Sequence, residues 1–117
     1  MPGAPKNPVL RDFELMVMLA VVQLGDTAYP LAIAGAIEKK TGRRTSRAAV
    51  LITLERLEDK GLLTSYFGDP TPVRGGRAKR LFRPKPLALR AVRESLARIE
   101  AMSEGVAEKL KGAGERP

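Results

Sequence analysis

The sequence predicts a mainly α, α+β fold on three observations. Apolar residues recur at helical spacing in four segments between residues 10 and 110. Glycine and proline punctuate the gaps between those segments. Two short β-compatible runs, LLTSYFGD (62–69) and AKRLFRPK (78–85), lie between the third segment and the fourth.

The elements follow in order. Residues 1–9, beginning MPGAPKNP, read as a disordered arm without the charged-then-apolar order of a signal peptide. From about Leu10 to Leu24 the run LRDFELMVMLAVVQL predicts a helix closed by Gly25 as a left-handed cap. Between Phe13 and Leu24 only Glu14 and Gln23 are polar, so this helix needs cover on more than one side. A second helix opens at Pro30, a residue suited to the first helical turn, with Leu31, Ile33, Ala34 and Ile37 as its buried stripe. It ends near Thr41-Gly42. The third begins at Ser46, whose hydroxyl can cap the first turn, places Val50, Leu54 and Leu57 on one face and stops at Gly61.

The β-compatible runs then predict a hairpin, with Tyr66, Phe67 and Phe82 packing it on the core. Pro84 is expected to end the second strand early, because proline cannot donate to the ladder. Pro86 opens a last helix in which Leu89, Val92, Leu96, Ile99, Val106 and Leu110 keep a coiled-coil-like rhythm, weakened at Gly105. The expected division is therefore 10–85 for a domain of three helices and a hairpin, 86–110 for the last helix and 111–117 for a disordered tail.

Composition narrows the function. The chain of 117 residues carries 21 Lys and Arg against 13 Asp and Glu, a net charge of +8. That balance favours an anionic partner, nucleic acid before an acidic protein or a membrane surface. There is no cysteine and no histidine, which removes disulfides, thiolate or imidazole metal sites and the common nucleophile–base pairs. No catalytic residue, metal site or cofactor is expected, and no apolar run is long enough to span a bilayer. A soluble cytoplasmic protein is the expectation.

Three helices followed by a hairpin make a winged helix-turn-helix: the third helix enters the major groove and the hairpin tip lies on the backbone or in the minor groove. The connecting segment PTPVRGGRAKR (70–80) suits that tip, with four cations and no acid. Its glycines, Gly75 and Gly76, allow close approach to phosphates, which Arg74, Arg77, Lys79 and Arg80 neutralise.

These stretches carry a family resemblance. FELMVMLAVVQLGDTAYPLAI, GRRTSRAAVLITLERLEDKGLL and GDPTPVRGGRAKRLFRPKP together resemble the PadR family of bacterial transcriptional regulators, over roughly residues 10 to 100. The resemblance implies a homodimer that binds operator DNA, as a repressor, in the short form with a single helix after the wing. It also implies dimerisation through the last helix and the partner's first helix, which assigns Phe13, Met16, Leu89, Val92, Leu96, Ile99 and Val106 to the interface. The chain departs from the family pattern at Pro30, where glycine is usual, and at Leu51, where tyrosine is frequent. Pro84 and Lys85 replace an aliphatic residue and a threonine before the last helix.

The third helix leaves two readings open. Opposite its core face lie Ala48, Ile52, Glu55 and Asp59, with Leu51 to one side. Arg43, Arg44, Ser46, Arg47 and Arg56 surround them as candidate DNA contacts. Leu51 and Ile52 either meet thymine methyl groups while the arginines and wing hold phosphates, or form an apolar surface for a protein partner. The second reading makes the chain an interaction module with weak or no specific DNA binding. A small hydrophobic effector at the dimer interface is a further partner, with Met16, Met18 and Met102 either lining its cavity or simply packing.

Overall fold

A computed structural model describes residues 9–68 and 78–115. Its elements are α1 (Asp12–Leu24), a 3-10 turn (Gly25–Thr27), α2 (Pro30–Thr41), α3 (Arg47–Asp59), β1 (Leu63–Phe67), β2 (Arg80–Pro84), α4 (Pro86–Ser103) and α5 (Val106–Glu115). This is the expected order of three helices, a hairpin and a C-terminal helical segment.

Local sequence accounts for the boundaries. Glu14, in the first turn of α1, accepts the Arg11 backbone N–H at 2.9 Å and so closes an exposed donor of the helix start. Gly25 ends α1 with φ 56° and donates to the Val21 carbonyl, but its ψ of −121° leaves the left-handed helical well and leads into the 3-10 turn. Pro30 is the first residue of α2, and Gly42 caps that helix in the left-handed conformation. Ser46 Oγ accepts the Ala49 N–H at 3.0 Å at the start of α3. At its end Leu62 donates to the Leu57 carbonyl and Gly61 to that of Glu58, the paired bonds of a Schellman motif, with Gly61 at φ 80°.

The core is one cluster. Val17, Met18 and Val21 from α1 meet Ile33 and Ile37 from α2, Val50, Leu54 and Leu57 from α3, Leu62 and Leu63, and Phe82 from the hairpin. The strands pair antiparallel, Leu63 opposite Pro84 through Phe67 opposite Arg80. One backbone bond, Phe82 N–H to the Ala28 carbonyl, ties the hairpin to the segment before α2, and Lys85 N–H to the Leu62 carbonyl extends the pairing at its base, both 2.9 Å. Pro84 is the last residue of β2, but it pairs with Leu63 where no N–H is needed, and Lys85 still donates across to Leu62, so its missing donor does not interrupt the pairing.

Four expectations are corrected. Leu31 is not part of the buried stripe of α2 but 61% exposed, because Ile33, Ala34 and Ile37 define a face that points away from it. Phe67 is 71% exposed at the far end of β1; only Phe82 is fully buried. Val92 lies in the domain's own core beside Ala88 and Ala91, where these small side chains let α4 approach α1. The C-terminal segment is two helices rather than one. Glu104 turns out of the helix at ψ 125°, Gly105 follows at φ 76°, and α5 then continues through Glu115, across positions expected to be a tail.

Candidate nucleic-acid interface

The exposed side of α3 carries Ala48, Ile52, Glu55 and Asp59, at spacings of four, three and four residues. Ile52 is 57% exposed. Arg47 and Leu51 run along one flank of this strip, and Arg56 stands on the other. Leu51 is half-buried and packs partly on the core.

Beside that flank lies a hollow of about 410 Å³, between the start of α2, the start of α3 and the outer end of the paired strands. Leu31, Leu51 and Phe67 give it an apolar floor, and Arg47, Lys79 and Arg80 stand around it. The Lys79 ammonium sits 4.1 Å from the centre of the Tyr29 ring, which holds it at the hollow by cation–π attraction. The sequence marked Leu31 and Phe67 as packing residues and did not single out Tyr29; none of the three was a candidate DNA contact.

Ion pairs fix the position of α3 and absorb part of its charge. Arg80 Nη1 reaches Glu55 Oε2 at 3.1 Å and Nη2 reaches Glu58 Oε1 at 2.8 Å. Glu58 Oε2 also accepts the Ser65 N–H at 3.1 Å and its hydroxyl at 2.8 Å. Arg80, expected to face phosphate, is thus committed to tying β2 to α3. At the same C-terminal end of α3, Lys60 Nζ donates to Glu14 Oε2 at 2.9 Å. Glu14 is 3% exposed. Burial pushes its carboxyl up, but the Arg11 N–H and the Lys60 ammonium outweigh that and hold it below its ordinary value.

The remaining candidates divide by what they touch. Arg43 lies 4.8 Å from the centre of the Phe13 ring and 3.5 Å from Asp12 Oδ2, a contact between exposed groups. Arg44 is more than nine-tenths exposed, with Glu38 at 3.8 Å. Ser46 is engaged in its capping bond, and Arg47 and Arg56 are exposed. Arg74, Gly75, Gly76 and Arg77 lie outside the described residues.

A second exposed surface runs along the C-terminal helices. Leu89, Leu96, Ile99 and Met102 of α4 and Leu110 of α5 are exposed, while Val106 and the α1 residues Phe13 and Met16 are half-buried. A groove of about 110 Å³ between α1 and α2, floored by Met16, Leu19 and Ile37, opens on the outer side of α1. Met18 is fully buried in the core and Met102 projects into solvent from α4, so neither lines that groove. Among the described residues no helix is long and apolar enough to cross a membrane.

Known structures share this architecture. A PadR family transcriptional regulator from Eggerthella lenta is 26% identical, with 81% of this chain and 80% of that chain aligned at a TM-score of 0.63. A PadR-like transcription factor from Bacteroides fragilis is 19% identical over 82% of this chain and 87% of that one, at a TM-score of 0.66. Bacillus subtilis PadR in complex with operator DNA is 12% identical over 74% of this chain and 47% of that one, at 0.62. No protein-family model matches the sequence, and no curated protein sequence matches it.

Proposed function

For a chain with the PadR-type winged-helix fold, we propose the function of a sequence-specific DNA-binding transcriptional repressor that acts as a homodimer. In this reading α3 enters the major groove, and the hairpin lies on the backbone or in the minor groove. The observation that carries it is the cationic edge around α3. Arg44, Arg47 and Arg56 are exposed there and Lys79 stands across the hollow, in a chain of net charge +8. Arg74 and Arg77, in the segment joining the strands, add charge to the same wing. The fold shared with the operator-bound Bacillus subtilis PadR supports the reading.

The homodimer rests on the uncovered apolar strip of α4 and α5. A compact chain of this length has a radius of gyration of about 13 Å. Here it is 17.1 Å, and Leu96, Ile99 and Met102 of α4 and Leu110 of α5 stay exposed. A second copy laying its own α4 along α1 would cover Leu89, Leu96 and Ile99 together with Phe13 and Met16. Any small hydrophobic effector would then enter beside Met16, in the groove between α1 and α2.

A mobility-shift titration with a random-sequence duplex library, with and without excess competitor DNA, tests the proposal. Retention of a sequence subset over competitor supports it. No retention at low salt assigns the chain instead to a protein-interaction module using the apolar floor of Leu31, Leu51 and Phe67.

A further inference from the structure

We infer that this protein discriminates base pairs by apolar contact with thymine 5-methyl groups, made by Ile52 with Ala48 beside it, and that hydrogen-bonded base readout contributes little. The inference rests on the DNA-binding reading above and specifies what that surface reads.

α3 offers base edges few free hydrogen-bonding groups. Adenine is read by the paired donor and acceptor of Asn or Gln, and α3, RAAVLITLERLED, contains neither. Cytosine is read by a free carboxylate. Glu55, the acid at the middle of the exposed strip, is held by Arg80 at 3.1 Å, and Glu58 by Arg80 and Ser65. Guanine is read by a forked arginine: the fork of Arg80 is already spent on those two carboxylates, and Arg47 and Arg56 stand on the flanks of the strip, not on it. Ser46 Oγ accepts the Ala49 N–H in capping the helix, which fixes its direction and leaves its O–H as a hydroxyl donor at this end.

On the central strip itself, what remains outward in the first two turns is apolar, with the exposed Arg47 on its flank. Ala48 and Ile52 are exposed at a spacing of four residues, one above the other on the strip. The N-terminal turns of a recognition helix are the part that meets base edges. Of the four bases only thymine carries a methyl group in the major groove. The same Arg80 pairs that remove hydrogen-bonded readers also cancel the repulsion Glu55 would exert on phosphate, so an uncharged strip can settle against the bases. Arg47 on its flank, and Arg44 and Arg56 near it, then supply affinity through phosphates without specifying sequence.

The test uses the full chain and duplexes selected from a random library. Affinity is measured with thymines of the selected site replaced one at a time by uracil, which removes only the methyl group. The expected loss is roughly fourfold for each contacted thymine, and roughly fifteenfold when both half-sites are altered. A T·A pair changed to 5-methylcytosine·G retains more affinity than one changed to cytosine·G. Ile52→Ala, whose side chain is exposed, keeps the circular dichroism spectrum of the wild type and loses the difference between thymine and uracil. Selective binding that ignores uracil substitution, or an Ile52→Ala protein that still senses it, overturns the inference and leaves the DNA-binding reading standing. Failure to retain any duplex overturns that reading and this inference with it.

Discussion

Arg80 Nη2 donates to Glu58 Oε1 at 2.8 Å, and through this pair the second wing strand is bolted to α3. Glu58 completes the joint by accepting both the N–H and the hydroxyl of Ser65 on the first strand. One carboxylate therefore sets the angle between the helix and the hairpin, the two elements that a winged-helix protein lays on DNA. Both side chains are partly exposed, so solvent tempers the pair's contribution to stability.

Glu58→Ala is expected to lower stability by about 1–2 kcal/mol, because it strands the Ser65 donors and one arm of Arg80. Urea unfolding measures that loss. DNA affinity should fall by more than the stability change alone explains, since the wing is released from its angle. A variant with wild-type affinity would show that the angle does not matter.

Glu14 gives the fold a pH signature. Its folded carboxyl lies below the ordinary value of 4.5, so it contributes stability that is fully present above that value. The contribution is lost as the pH falls through the lower folded value. Glu14→Gln should therefore be less stable than wild type at neutral pH, with the gap narrowing in acid. Thermal unfolding at several pH values reads this directly, and a gap that widens in acid contradicts it.

Gly61 turns the chain from α3 into the hairpin at φ 80°, with open space where a side chain would project. Gly61→Ala should cost about 1–2 kcal/mol, through backbone strain and not through a clash. Chemical denaturation of the two proteins gives the difference.

Much of this architecture was legible before the structure. Helix ends were readable because Pro30, Ser46, Gly42 and Gly61 act locally, through caps and φ values that need no distant partner. Exposure was less readable. Leu31 and Phe67 look like core residues, yet whether a side chain at an element's end is covered depends on what the rest of the chain puts there. The ion pairs of Arg80 went unforeseen for a related reason. A cation in a basic run suggests phosphate, and its alternative partners, Glu55 and Glu58, lie more than twenty positions away. The interruption at Gly105 was signalled as a weakness in the last helix, but a continuing apolar rhythm hid the break.

The C-terminal strip predicts assembly. Leu96→Glu places a charge where a second copy would pack, and a lone buried charge is strongly unfavourable. Sedimentation should show a dimer for wild type at micromolar concentration and a monomer for the variant. Because Leu96 is exposed in the single chain, helix content should not change.

Arg56 tests the division of labour on α3. If it contacts a phosphate, Arg56→Ala should weaken selected and random duplexes alike and flatten the salt slope by about two per dimer. Equal slopes for the two proteins would remove Arg56 from the backbone contacts.

Binding of the full chain to a selected duplex over a salt series most directly separates a dimeric DNA reader from an interaction module of the same fold. Three phosphate contacts from each of two protomers predict that log affinity falls against log salt with a slope of about −5. The complex should contain two chains per duplex, with selected sequence retained over competitor. A slope near zero, or no complex even at low salt, would contradict the proposed function.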